Sequence, residues 1–163
     1  MPTQKLNTEV VIKNLADLLK KGNAHASLDD ALHNITFDLL GKKVKNLPYS
    51  IWQLAEHIRI AQWDILEFCR NEKHISPKWP DGYWPSETAP KSKEDWEKCI
   101  QKIQSDRKEF IALLNDADEN LYKPFSYGKG QSLLKETLVL ADHNSYHTGE
   151  IIILRRLLND WKK

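Results

Sequence analysis

Leu54, Ile58, Ala61, Ile65 and Phe68 recur at intervals of three and four residues. That spacing lays them along one stripe of an α-helix and along no single face of a strand. Ser50 opens the helix. Gln53 follows three residues later and completes a capping box, in which each side chain satisfies a free backbone N–H. The same period runs through most of the chain, and alternating strand patterns are scarce, so the fold class is all-α. Asn7 is expected to cap a first helix carrying Val11, Leu15 and Leu18, with Lys20-Lys21-Gly22-Asn23 as its C-terminal stop. Ser27 is expected to start a short helix with Leu28, Ala31, Leu32 and Ile35, reaching toward Leu39. Ser92 caps another long helix bearing Trp96, Ile100, Ile103, Phe110 and Leu114. Residues 115–130 read as a connector, with Gly128-Lys129-Gly130 a turn. The last helix runs from Ser132 to about Asn159, and is about 40 Å long at roughly 1.5 Å per residue. Such helices pack as an antiparallel four-helix bundle, here with a short extra helix. A chain of 163 residues suits one domain spanning 1–163.

Residues 71–91, NEKHISPKWPDGYWPSETAPK, break the helical pattern. Four prolines and a glycine forbid regular structure there. A long Pro/Trp-rich loop in a compact domain is often functional. Trp79, Tyr83 and Trp84 either pin this loop to the bundle or wall a pocket. Trp52, Trp63 and Trp96 sit on helical stripes and are expected in the core.

Composition narrows the function classes. The net charge is +1, and the basic pairs at Lys20-Lys21, Lys42-Lys43, Arg155-Arg156 and Lys162-Lys163 are scattered. They read as solvated helix ends, and no nucleic-acid partner is expected. No apolar run is long enough to span a membrane. The N-terminus lacks an apolar signal region. Cys69 and Cys99 fall inside helices and are expected reduced and buried, which suits a cytoplasmic protein.

His143 and His147 stand out within ADHNSYHTGEI, residues 141–151. Four apart, they project from one helix face one turn apart, together with Leu140, Ile151 and Leu154. Neutral imidazoles so placed can grip one divalent ion such as zinc, nickel or iron. The competing reading is a pair of core or interface histidines, and a third ligand is needed to favour the metal. His57 is the natural third, between Leu54 and Ile58 on a helix that a bundle can lay opposite. Three protein ligands would leave an open coordination position, as catalytic sites do. Other constellations are missing. Asn144 stands where a zincin carries glutamate, paired Glu-x-x-His motifs are absent, and no Gly-x-Ser-x-Gly elbow exists. Asp142, Asn144 and Tyr146 diverge from the histidine face and are expected in packing or at an interface. His25, His33 and His74 are expected at surface or loop positions.

Three segments together resemble one family. They are Ser50-Ile51-Trp52-Gln53-Leu54-Ala55-Glu56-His57-Ile58, the run from Ala61-Gln62-Trp63-Asp64 into Lys78-Trp79-Pro80-Asp81-Gly82-Tyr83-Trp84-Pro85, and Ala141-Asp142-His143-Asn144-Ser145-Tyr146-His147-Thr148-Gly149-Glu150. In this combination the chain resembles the DinB-like (DinB/YfiT-like) family of helical-bundle metalloproteins. The resemblance implies a divalent-metal site at His57, His143 and His147, and a homodimer acting on a small-molecule substrate. It implies metal-dependent chemistry of one of two types, hydrolysis or transfer of a low-molecular-weight thiol. The rival is a non-catalytic helical dimer that binds a metal or ligand. Relatives often carry glutamine where this chain has Glu150, which leaves that carboxylate open as ligand, outer partner or base. The face of the dimer stays open too.

Overall fold

The computed structural model describes residues 2–161, with side chains from residue 8 onward. Five α-helices follow one another: α1 (Pro2–Lys20), α2 (Leu28–Leu32), α3 (Ile51–Arg70), α4 (Lys93–Asn115) and α5 (Leu133–Leu157), and no strand forms among the described residues. Serine caps each of the last four. Ser27, Ser50, Ser92 and Ser132 accept from the backbone N–H three residues on, and the first two form full capping boxes with Asp30 and Gln53.

The first two helices differ from expectation. α1 already includes residue 7, so Asn7 is not its cap, and the Asn7 side chain lies outside the described residues. Its buried stripe is Ile12, Leu15, Ala16 and Leu19, while Leu18 faces outward. α2 stops at Leu32, because the backbone turns extended at His33 and left-handed at Asn34, where φ is 51°. Ile35 therefore lies outside it, and Phe37–Leu39 forms a separate single turn. Arg155, expected in solvent, is buried. Its guanidinium donates to the Ala31 and His33 carbonyls at 2.9 Å each, satisfying the end of α2, and to Asp160 at 2.9 Å.

The four long helices close a ring in the order α1, α4, α3, α5. α5 runs antiparallel to α3: His57 meets His147, and Gln62 further along meets the earlier Asn144. α1 runs antiparallel to α4, since Thr8 reaches Glu119 while Lys20 lies near Arg107. α3 and α4 lie side by side in the same direction, with Trp52 beside Trp96, Gln62 on Ile103 and Arg70 on Glu109. The chain must therefore return along the whole bundle between them, which explains why residues 71–91 are long.

The apolar core divides into two layers. One gathers Leu15, Leu66, Phe110, Leu114, Leu121 and Leu140. The other gathers Ala31, Leu40, Leu54, Ile58, Ile103, Ile151 and Leu154. On each long helix of the α3–α4–α5 group, polar residues lie between the layers: Gln62, Asp106 and the stretch from His143 to Thr148. Cys69 and Cys99 are free and buried, and burial pushes both thiols well above their ordinary pKa. Among the described residues, no helix is long and apolar enough to cross a membrane.

Candidate metal centre

Part of the polar belt lines an open cavity between α3, α5 and the returning loop. His57, His143 and His147 meet there, with one ring nitrogen from each within 4.8 Å of the others. His57 and His147 are buried and His143 is half-buried. Their ring centroids are 4.5–4.9 Å apart.

Outer hydrogen bonds fix two of the three tautomers. His57 Nδ1 lies 2.9 Å from the Tyr83 carbonyl oxygen, which can only accept, so Nδ1 carries the proton and Nε2 the lone pair. His147 Nδ1 donates to the Glu150 carboxylate at 2.6 Å, which likewise leaves its Nε2 free. His143 Nε2 lies 3.0 Å from His57 Nε2. Because the latter is a lone pair, this contact is met in two ways: a proton on His143 Nε2, or a shared cation. Carboxylate and carbonyl partners on the outer nitrogens are the arrangement that orients imidazoles toward a metal. All three rings are also held neutral. Burial lowers the pKa of His57, and burial with the neighbouring imidazoles drives His143 and His147 down to about 4. The donor set thus fits a divalent ion with nitrogen preference. Burial raises the Glu150 pKa, and its bond to His147 Nδ1 places it behind the cluster.

The loop closes over His57. Trp84 stacks flat on the imidazole at 3.9 Å between centroids and 0° between planes, and Tyr49 stacks on the far side of Trp84 at 3.8 Å. Asp64, buried on α3, holds two points of the loop. One oxygen is 2.7 Å from His74 Nε2, and the other accepts from the Tyr83 hydroxyl at 2.5 Å. Tyr49, Ile65, Trp79, Tyr83 and Trp84 join the histidines around a cavity of about 480 Å³. Tyr83 and Trp84 therefore both pin the loop and wall the pocket, while Trp79, largely exposed, only lines it. Trp52 is in the core, whereas Trp63 and Trp96 are only half-buried.

Sequence reasoning missed several residues. His74, expected at a surface or loop position, lies in the loop, but only 8% of its side chain is exposed and it serves as the loop's anchor. Asp64 stands seven residues after His57, two turns along the same face, and that spacing was its signal. Asn144 donates to the buried Gln62, whose amide donates in turn to the Ile103 carbonyl at 2.6 Å, so this bridge joins three helices. Tyr146 and Asp142 are exposed, and so are His25 and His33.

A helical bundle with a buried three-histidine cluster beneath an aromatic loop defines a class of potential metal-binding proteins. The chain belongs to the DinB superfamily, whose family model matches residues 23–151, a span that holds the cluster and the loop. No curated protein and no solved structure matched it.

Proposed function

We propose that this protein is a metal-dependent enzyme, a hydrolase or a thiol transferase, that uses a divalent ion held by His57, His143 and His147. The observation that carries the reading is the convergence of three neutral imidazoles on one point at the floor of a 480 Å³ cavity. Such an ion, when bound, supplies Lewis acidity to a water or thiol. His57 and His147 keep their Nε2 lone pairs aimed inward because Tyr83 and Glu150 occupy their outer nitrogens. The aromatic walls exclude water and accept the apolar part of a small substrate. Glu150 acts as an orienting partner of His147.

The experiment is metal analysis of the purified chain beside His57→Ala, His143→Ala and His147→Ala, followed by assays with thiols plus electrophiles and with esters and amides. The expected result is about one divalent ion per chain, lost in each variant with helix content retained, and turnover about 100-fold lower without it. A metal-free chain that cannot be loaded overturns the metal reading. A loaded chain without turnover overturns the enzyme and leaves a binding protein.

A further inference from the structure

α5 carries the aliphatic hydroxyls of Thr137, Ser145 and Thr148, and they are used differently. Thr137 and Thr148 return theirs to the carbonyl four residues earlier, on Leu133 and Asn144, at 2.6 Å each. That is the ordinary way for a helix to absorb a hydroxyl. Ser145 Oγ instead lies 3.1 Å from Nε2 of His25, 120 residues away in the chain. His25 Nδ1 lies 2.8 Å from the Ala26 carbonyl oxygen, which can only accept, so Nδ1 carries the proton. Nε2 is therefore a lone pair, and the Ser145 hydroxyl donates to it. A serine hydroxyl given to an imidazole whose other nitrogen is fixed is the arrangement that activates a nucleophile.

The turn after α1 delivers the imidazole. His25 N–H donates to the Gly22 carbonyl at 3.0 Å and closes the turn. A side-chain carbon at position 22 would collide with the His25 carbonyl and with the backbone of Ala26 and Ser27, so glycine lets the chain fold this tightly. The pair stands in a cavity of its own, of about 440 Å³, between the end of α1, the start of α2, α4 and α5. Leu18, Leu138 and Ala141 give it an apolar wall, and Lys20, Lys21 and Arg107 a cationic border. Ser145 and His25 are both exposed, so a substrate can reach them. At 100° per residue, Ser145 points about 200° around α5 from His143 and from His147. This cavity thus lies on the opposite side of the helix from the metal centre.

We propose that Ser145 and His25 form a second active site, independent of the metal centre, which cleaves esters of short apolar acids through an acyl-serine. Ser145 Oγ bonds to the acyl carbon as its proton passes to His25 Nε2. The carbon–oxygen bond to the alcohol breaks, and the alcohol leaves with that proton. Water then adds to the acyl carbon and gives a proton to His25. The carboxylic acid is released as Ser145 recovers its hydroxyl. The cationic border offsets the negative charge that the carbonyl oxygen gains in each addition. The apolar wall takes the acyl chain.

The test uses the full chain with p-nitrophenyl butyrate and a chelator in excess. Nitrophenolate should be released, and peptide mass spectrometry after an acid quench should find a butyryl group on Ser145. Ser145→Ala should carry no such group. His25→Ala should slow acylation about 100-fold or more, and added imidazole should restore part of it. Should that variant not fold, His25→Gln serves in its place, since its amide can still hydrogen-bond the serine but takes no proton from it. A chain labelled only on lysines such as Lys20 and Lys21, an unlabelled chain, or acylation of Ser145 undiminished in the His25 variant overturns the proposal. The metal reading stands or falls separately, because the chelator removes any ion beforehand.

Discussion

The apolar layers and the belt between them hold the same helices together by opposite means. In the layer around Phe110 and Leu114, fully buried carbon surface packs without direction, and many residue choices of the right volume would serve. In the belt, each polar group needs a particular partner: Gln62 between Asn144 and Ile103, Asp64 between His74 and Tyr83, His57 beneath the Tyr83 carbonyl. Burial without those partners would cost more than the contacts return. The layers therefore supply stability, and the belt supplies geometry at some cost to it. Mutating one region should leave the signature of the other intact.

The largest effect is expected in the layers. Phe110 is fully enclosed, and Phe110→Ala should destabilise the fold by about 3–5 kcal/mol, from lost transfer energy plus the cavity left behind. Denaturant unfolding measures it. Metal affinity of the folded fraction should stay within about twofold, since Phe110 packs in the Leu66–Leu114 layer and not in the belt that holds the histidines. A large affinity change with little loss of stability would erase the distinction between the regions.

The next effect belongs to the belt. Removing the carboxylate in Glu150→Ala frees the outer nitrogen of His147, so the ring can rotate or change tautomer. Metal affinity should fall about 10–100-fold, as measured by competition with a chelator, while unfolding of the metal-free chain changes by less than about 1 kcal/mol. Unchanged affinity would make Glu150 a surface carboxylate and leave its bond to His147 without consequence.

How much of this the sequence disclosed follows the same division. The helices were legible because their signals are local: serine caps at Ser50, Ser92 and Ser132, and stripes such as Leu54–Ile58–Ala61. His143 and His147 were legible because one helical turn is enough to place them together. His57 needed the bundle as a hypothesis. The anchoring role of His74 was hidden because its partner, Asp64, is reached only after the loop folds back, and no spacing rule governs that return. The parallel course of α3 and α4 was hidden for the same reason, since it depends on where the loop goes. The start of α1 and the end of α2 were misplaced where a cap signal at Asn7 and a helical period at Ile35 competed with the backbone and lost.

The smallest effect concerns the belt residue farthest from any evident function. Asp106 is fully enclosed on α4 between Ile103 and Phe110, with Lys102 Nζ 2.8 Å away on the solvent side. Burial raises its pKa above the ordinary 3.8, against the opposing pull of Lys102. The folded chain thus binds this proton more tightly than the unfolded chain does. The stability this gives is whole below about pH 3.8 and is lost as pH rises through the raised folded value. Asp106→Asn has no such proton to lose. The unfolding free energy of the variant minus that of the native chain should therefore grow as pH rises from below the ordinary 3.8 through the raised folded value. Comparing the change with pH cancels any fixed cost of the new amide. A difference that is flat with pH would mean that Lys102 fully offsets the burial. A difference that shrinks as pH rises would make the Asp106–Lys102 pair a net stabiliser, and the belt would then contribute to stability as the layers do.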